Sequence, residues 1–136
     1  MNKSIFSSFK NDTTREQGGV TMDLGDLGQI QVARAGGANV SYEKALLAAS
    51  KPHRRAFQAG VIDEKVAKKI MVDVYADTII LGWSGLKDEN GADFPFSKDN
   101  ARKLLTDLPD LFAQIRAVAE DQTLFRQEIL EQDAKN

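Results

Sequence analysis

The period of the hydrophobic positions changes along the chain and divides it into elements. Val20, Met22 and Leu24 alternate with Thr21 and Asp23, and Ile30 and Val32 alternate with Gln29, Gln31 and Ala33. Period two on both sides of Gly25-Asp26-Leu27-Gly28 predicts a β-hairpin over about residues 20–34. Gly25 and Gly28 supply the positive φ such a turn requires. A lone two-stranded hairpin is marginally stable, so it must pack on helices or on another chain. After Gly36-Gly37-Ala38-Asn39 the period lengthens to that of a helix. Ser41 is placed to cap Tyr42–Ala49, and Pro52 either kinks this element or starts a short second helix that Gly60 closes, giving a helical region over about 41–59.

Asp63 is placed to cap a long helix over 63–81, in which Val66, Ile70, Val74 and Thr78 recur every fourth position. Tyr75, Ile79, Ile80 and Leu81 widen that stripe, while Glu64, Lys65, Lys68, Lys69 and Asp73 take the other side. Asn90-Gly91 marks a turn, read as a tiny second hairpin or a compact loop. Ser97 caps a helix over about 97–107, and Pro109 suits the first turn of a last helix over 109–132. Leu111, Ile115, Val118, Gln122, Phe125 and Ile129 form the stripe of that helix. The pattern predicts a mainly α chain with a small N-terminal β-hairpin, an α+β fold of about four to five helices.

Residues 1–18 lack this patterning and are rich in Ser, Asn, Asp and Thr. Thr13 and Glu16 have capping-box spacing, but Gly18-Gly19 follows at once, so no helix is expected there. The segment reads as a flexible arm before a single domain over 19–136; the alternative is a segment that orders on a partner through Ile5, Phe6 and Phe9. The length of 136 residues suits one domain, and 42% hydrophobic with 28% charged residues is ordinary globular composition. The 18 basic and 20 acidic side chains leave a net charge of −2, unlike the strongly basic balance of a dedicated nucleic-acid binder. No apolar run reaches the ~18 residues of a membrane span or resembles a signal peptide, so the expected setting is the cytoplasm.

Chemistry-bearing residues are scarce. The chain has no cysteine and one histidine, His53. This excludes thiolate zinc sites and a cysteine nucleophile, and leaves little for a histidine-based site. Gly82-Trp83-Ser84-Gly85 fails as a nucleophile elbow because Leu86 stands where the last glycine belongs. Asp88, Glu89, Asn90 and Asp93 surround Gly91, but a calcium loop needs that glycine later and a glutamate where Ser97 sits. No catalytic residue, metal or cofactor is therefore expected. What remains is uneven charge and exposed apolar candidates. Between residues 51 and 69 six basic side chains face only Asp63 and Glu64. Arg54, Arg55, Lys68 and Lys69 are the partner-binding candidates there, for an acidic protein or, through a helix-turn-helix, for DNA. Trp83 and Phe96 read as core, whereas Phe94 and one of the adjacent pair Leu124 and Phe125 are further candidates for a partner.

A longer run in the C-terminal half carries a resemblance. Tyr75-Ala76-Asp77 and Gly82-Trp83-Ser84-Gly85-Leu86-Lys87-Asp88-Glu89-Asn90-Gly91 are followed by Phe94-Pro95-Phe96-Ser97, Asn100-Ala101, Leu104-Leu105, Leu108-Pro109-Asp110-Leu111, Phe125-Arg126 and Asp133-Ala134-Lys135-Asn136. In order and spacing these resemble the tail assembly chaperones of phages and prophages with long, non-contractile tails. The resemblance implies a non-enzymatic protein that coats the tape measure protein, helps recruit tail tube subunits and is left out of the mature virion. It carries no site residues with it. A structural head or tail component is the neighbouring alternative. Charge also points to self-association: residues 1–75 hold 11 basic and 8 acidic side chains, and residues 76–136 hold 7 and 12. Unlike halves of this kind favour head-to-tail contact between copies.

Overall fold

A computed structural model describes residues 4–127. It is mainly α with a small antiparallel sheet, in the class the hydrophobic pattern predicts. Strands β1 (Val20–Asp23) and β2 (Gln29–Val32) form the expected hairpin, with Val20 opposite Val32 and Met22 opposite Ile30. A 3-10 turn over Gly25–Leu27 joins them, with φ +64° at Gly25 and +117° at Gly28. Gly28 has a second constraint, because a Cβ there would strike the Ser84 carbonyl and the Leu86 side chain.

That neighbour belongs to a strand the periodicity concealed. The helix expected over 63–81 ends earlier: the long helix spans Glu64–Thr78, and Ile80–Ser84 pairs antiparallel with β2 as β3. Sheet order is β1-β2-β3, with Ile30 opposite Trp83 and a bulge between Gln31 and Val32. The run Thr78-Ile79-Ile80-Leu81 is rich in β-branched residues, which favour a pleated surface. The helix also ends chemically: the Thr78 hydroxyl donates to the Val74 carbonyl at 2.7 Å, and the Ile79 carbonyl accepts from Ala33 N–H at 2.8 Å.

Seven α-helices are present among the described residues, more than the four to five expected, because two short helices form in the N-terminal segment, where none was expected. In chain order they are α1 (Ile5–Ser8), α2 (Thr13–Gly18), α3 (Val40–Ser50), α4 (Arg54–Gln58), α5 (Glu64–Thr78), α6 (Lys98–Asp107) and α7 (Pro109–Glu120). The region read as 41–59 is thus divided, with Pro52 in a 3-10 turn over Lys51–His53. Asn39, not Ser41, precedes the first residue of α3, and its amide is buried, donating to the carbonyls of Arg34 at 2.9 Å and Thr78 at 3.1 Å. Asp63 and Ser97 cap α5 and α6 as expected, accepting from Lys65 N–H and Asn100 N–H. The last helix stops at Glu120 instead of continuing to 132. Asp121 accepts from both the amide and the hydroxyl of Thr123, which opens a 3-10 turn over Gln122–Phe125. Ile129 and the run 133–136 lie outside the described residues.

The N-terminal segment is also more structured than its composition implies. Asp12 caps α2 through Arg15 N–H at 3.0 Å. Glu16, 1% exposed, accepts from the Arg34 guanidinium and from Ala38 N–H at 3.2 Å, tying α2 to the chain after β2. Asp12 N–H donates to the Phe125 carbonyl and Gln127 N–H to the Lys10 carbonyl, both at 2.8 Å. Ile5, Phe6 and Phe9 remain exposed, with the Arg126 guanidinium 4.5 Å from the Phe9 ring centroid.

Helix α5 organises the core. Its buried residues Ile70, Val74, Tyr75 and Ala76 face inward, and it packs on α3, α6 and β3. Ile30, Val32, Ile79 and Ile80 meet Leu104, Leu105, Ile115 and Ala119 in the same cluster. Each of these valine, leucine and isoleucine side chains contributes about 1.5–3 kcal/mol when fully buried. The hairpin thereby acquires the helical support its short strands need.

Candidate partner-binding surface

The outward side of α5 is the ridge between two grooves. Lys65, Lys68, Lys69 and Val72 lie three or four residues apart and so share one helix face. Together with α6 and α7 that face encloses an open groove of about 830 Å³. Its floor is apolar, formed by Met71, Val72, Leu105 and Phe112, with exposed Ala113 at its edge. Five cations, Lys65, Lys68, Lys69, Arg102 and Arg116, line it against two carboxylates, Glu64 and Asp73.

The cations are not equivalent. Arg102 is a strut between α5 and α6, donating to Asp73 at 3.2 Å, Asp77 at 2.7 Å and Asp99 at 3.3 Å. Lys69 shares Asp73 at 2.9 Å. Arg116 reaches Glu120 at 3.7 Å and lies 5.8 Å from the Phe112 ring centroid, so its charge hangs over the groove floor. Lys68 and Glu64 are both mostly exposed and 3.9 Å apart, a contact worth little. Lys65 has no carboxylate within ion-pair distance among the described residues. A groove with an aliphatic and aromatic floor and a net positive rim suits the apolar face of an amphipathic helix flanked by carboxylates.

Two smaller grooves adjoin it. Across the α5 ridge, Leu46, Leu47, Phe57 and Ile70 line a groove of about 330 Å³ whose charged residues are Lys51 and Arg54. At the hairpin turn and the α6–α7 corner, Leu24, Leu27, Leu86 and Leu108 line one of about 630 Å³, with Asp26, Asp107 and Asp110 against Lys87.

The candidates from the sequence do not converge on one site. Lys68 and Lys69 line the large groove, Arg54 lines the groove across the ridge, and Arg55 is exposed beside it. Phe94 lies elsewhere: half-buried, it stacks on Trp83 at 5.5 Å between centroids, and its carbonyl accepts from the Trp83 indole N–H at 2.6 Å. Of the adjacent pair, Phe125 is fully buried and Leu124 is 39% exposed, so only Leu124 is accessible. Sequence reasoning missed Met71, Arg102 and Arg116. They lie on α5, α6 and α7 respectively, and only tertiary packing brings them to one groove.

Other candidates settle into local structure. The Asp88 carboxylate accepts from Asn90 N–H at 2.8 Å and Ala92 N–H at 3.0 Å, closing the Asn90-Gly91 turn. Its neighbour Asp93 pairs with Lys87, whose hydrogen bond holds the Asp93 carboxyl below its usual range. Among the described residues no group of three or more metal-ligating side chains comes together, and no helix is long and apolar enough to cross a membrane.

Residues 37–136 match the YdaY prophage protein family. The matched span contains every residue of the large groove and of the groove across the α5 ridge, but not the hairpin. No curated protein and no solved structure matches the chain.

Proposed function

The chain belongs to the YdaY prophage protein family, and from that premise we propose that it is a tail assembly chaperone, holding the tape measure protein and helping to recruit tail tube subunits in the host cytoplasm. The reading is non-enzymatic. The observation that carries it is the groove between α5, α6 and α7, with its apolar floor and five lining cations. A tape measure protein presents long apolar helices, and a groove of this kind covers an apolar helix face while its rim engages flanking carboxylates. Met71 in the floor adds an adaptable, unbranched side chain, which suits a client of varying sequence. Of the residues that carry the resemblance to such chaperones, Leu105 and Pro109 line this groove.

A DNA-binding reading has less support. Lys51 and Arg54 lie on one side of the α5 ridge and Lys65, Lys68 and Lys69 on the other, so the basic residues of 51–69 do not form one stripe. Helix α4, at five residues, is short for the supporting helix of a helix-turn-helix.

The test is fluorescence anisotropy of labelled segments of the tape measure protein from the same prophage, titrated with the full chain. Saturable binding that weakens with salt and is lost in Ala113→Arg, which blocks the groove from an exposed position, is the expected result. Binding unchanged by Ala113→Arg would move the client off this groove. No binding to any segment would overturn the reading.

A further inference from the structure

Helix α1 holds its apolar side chains in water. It spans only Ile5–Ser8, none of its residues is buried, and Ser4 caps it by accepting from Phe6 N–H at 3.1 Å. An isolated helix shorter than about 12–15 residues is marginal in water, so four residues need cover from elsewhere. Among the described residues that cover is missing: Ile5 is 68%, Phe6 83% and Phe9 59% exposed, and with Lys10 they line one open hollow. Large apolar side chains gathered in this way mark an interaction surface. The cations beside it are Lys10 and Arg126, whose guanidinium lies over the Phe9 ring. Neither has a carboxylate within ion-pair distance among the described residues.

The backbone beside the patch shows which segment leads onto it. Asn11 and Arg126 form an antiparallel bridge, flanked by the bonds from Asp12 N–H to the Phe125 carbonyl and from Gln127 N–H to the Lys10 carbonyl. In an antiparallel pair the direction leaving Gln127 runs past Lys10 toward Phe9, and so toward α1. The sequence continues there with Glu128-Ile129-Leu130-Glu131, two large apolar residues between two carboxylates, outside the described residues. At no more than about 3.6 Å per residue, Ile129 and Leu130 stay within about 7–11 Å of Gln127. We propose that residues 128–136 fold back on α1 of the same chain, Ile129 and Leu130 covering Ile5, Phe6 and Phe9, with Glu128 and Glu131 beside Lys10 and Arg126. The occupant matches the patch in apolar character and opposes it in charge. The clasp ties the N-terminal segment, which lies outside the family match, to the C-terminal end of the matched span. It withholds an apolar surface from other proteins, and it is independent of the client reading of the large groove.

The experiment is disulfide trapping in the full chain, which has no cysteine of its own. Ile5→Cys is combined in turn with Ile129→Cys, Leu130→Cys and Ala134→Cys, and each dilute variant is oxidised mildly. A disulfide closes only where the two Cα atoms come within about 7 Å. Docking is expected to close an intrachain disulfide at position 129 or 130 at least about tenfold faster than at 134, the advantage of one buried leucine contact. A tether without docking would close all three at similar rates. Binding of an apolar fluorescent dye supplies a second measure that needs no cysteine. Ile129→Asp combined with Leu130→Asp is expected to raise it by uncovering the patch, and adding Phe6→Ser to remove the increment. Phe6 is exposed enough for its replacement to leave the fold intact. Similar closure rates at all three positions, disulfides formed only between chains, or dye binding left unchanged by the paired aspartates would each overturn the proposal.

Discussion

Replacing Glu16 with alanine tests whether α2 is an integral part of the fold. The Glu16 side chain is 1% exposed and anchors two donors, the Arg34 guanidinium and Ala38 N–H. Around it the chain is close: Gly37 has φ +54°, and a Cβ there would strike the Glu16 carboxylate. Removing the carboxylate leaves Arg34, whose side chain is only 16% exposed, without its counter-ion. Breaking a buried pair by deleting one partner costs about 3–5 kcal/mol. Glu16→Gln keeps the shape and one acceptor, so its cost should be smaller, about 1.5–3 kcal/mol for a hydrogen bond to a charged group. Urea denaturation followed by circular dichroism measures both, and a cycle with Arg34→Met isolates the coupling. As a control, Glu64→Ala removes an exposed carboxylate and should change stability by less than about 0.5 kcal/mol. A loss below about 1 kcal/mol in Glu16→Ala, or additive single and double variants, would refute the reasoning, since neither fits a buried ion pair.

Other outcomes follow from the turn and the core. Gly28→Ala forces a side chain against the Ser84 carbonyl at φ +117° and should cost about 2–4 kcal/mol in thermal melts, whereas Gly25→Ala, with open space around it, should cost about 1. An equal cost at both would remove the hairpin–β3 contact as the cause. Tyr75 is fully buried, and its hydroxyl has no hydrogen-bond partner of good geometry among the described residues. Tyr75→Phe should therefore stabilise the chain by about 1 kcal/mol at neutral pH. Burial first, then the charge of Glu120 and the neighbouring Tyr42, raises the Tyr75 phenol above its ordinary value of 10.0, outweighing the nearby Arg116. The unfolded chain gives up that proton first, so stability is full below about pH 10 and falls above it by up to about 1.4 kcal/mol per pH unit. Tyr75→Phe should flatten that fall; an unchanged alkaline slope would assign it to another group.

The hydrophobic pattern made the elements legible wherever one local signal acted alone. Val20 to Val32 alternate cleanly, Asp63 and Ser97 occupy their cap positions, and Pro109 opens α7. It failed where two signals overlapped. Ile79, Ile80 and Leu81 extend the apolar stripe of α5 as well as they fill a strand, and only pairing with β2 decides between them. Gln122 and Phe125 continue the spacing of α7, but Asp121 turns the chain so that Phe125 is buried beside the N-terminal segment. The α2 helix was obscured by Gly18-Gly19, because the support for it comes from Arg34, 18 residues away from Glu16. The candidate surface was legible by half. Lys68 and Lys69 stood out as charge, but the apolar floor beneath them is assembled from three helices whose packing no local pattern records.

Co-expression of the full chain with the tape measure protein of its prophage tests the chaperone reading most directly, with the soluble fraction and a pull-down as readouts. The tape measure protein is expected to move into the soluble fraction and to co-purify with the chain, and Ala113→Arg to return it to the pellet while remaining folded itself. A tape measure protein that stays insoluble beside abundant soluble wild-type chain would contradict the proposed function.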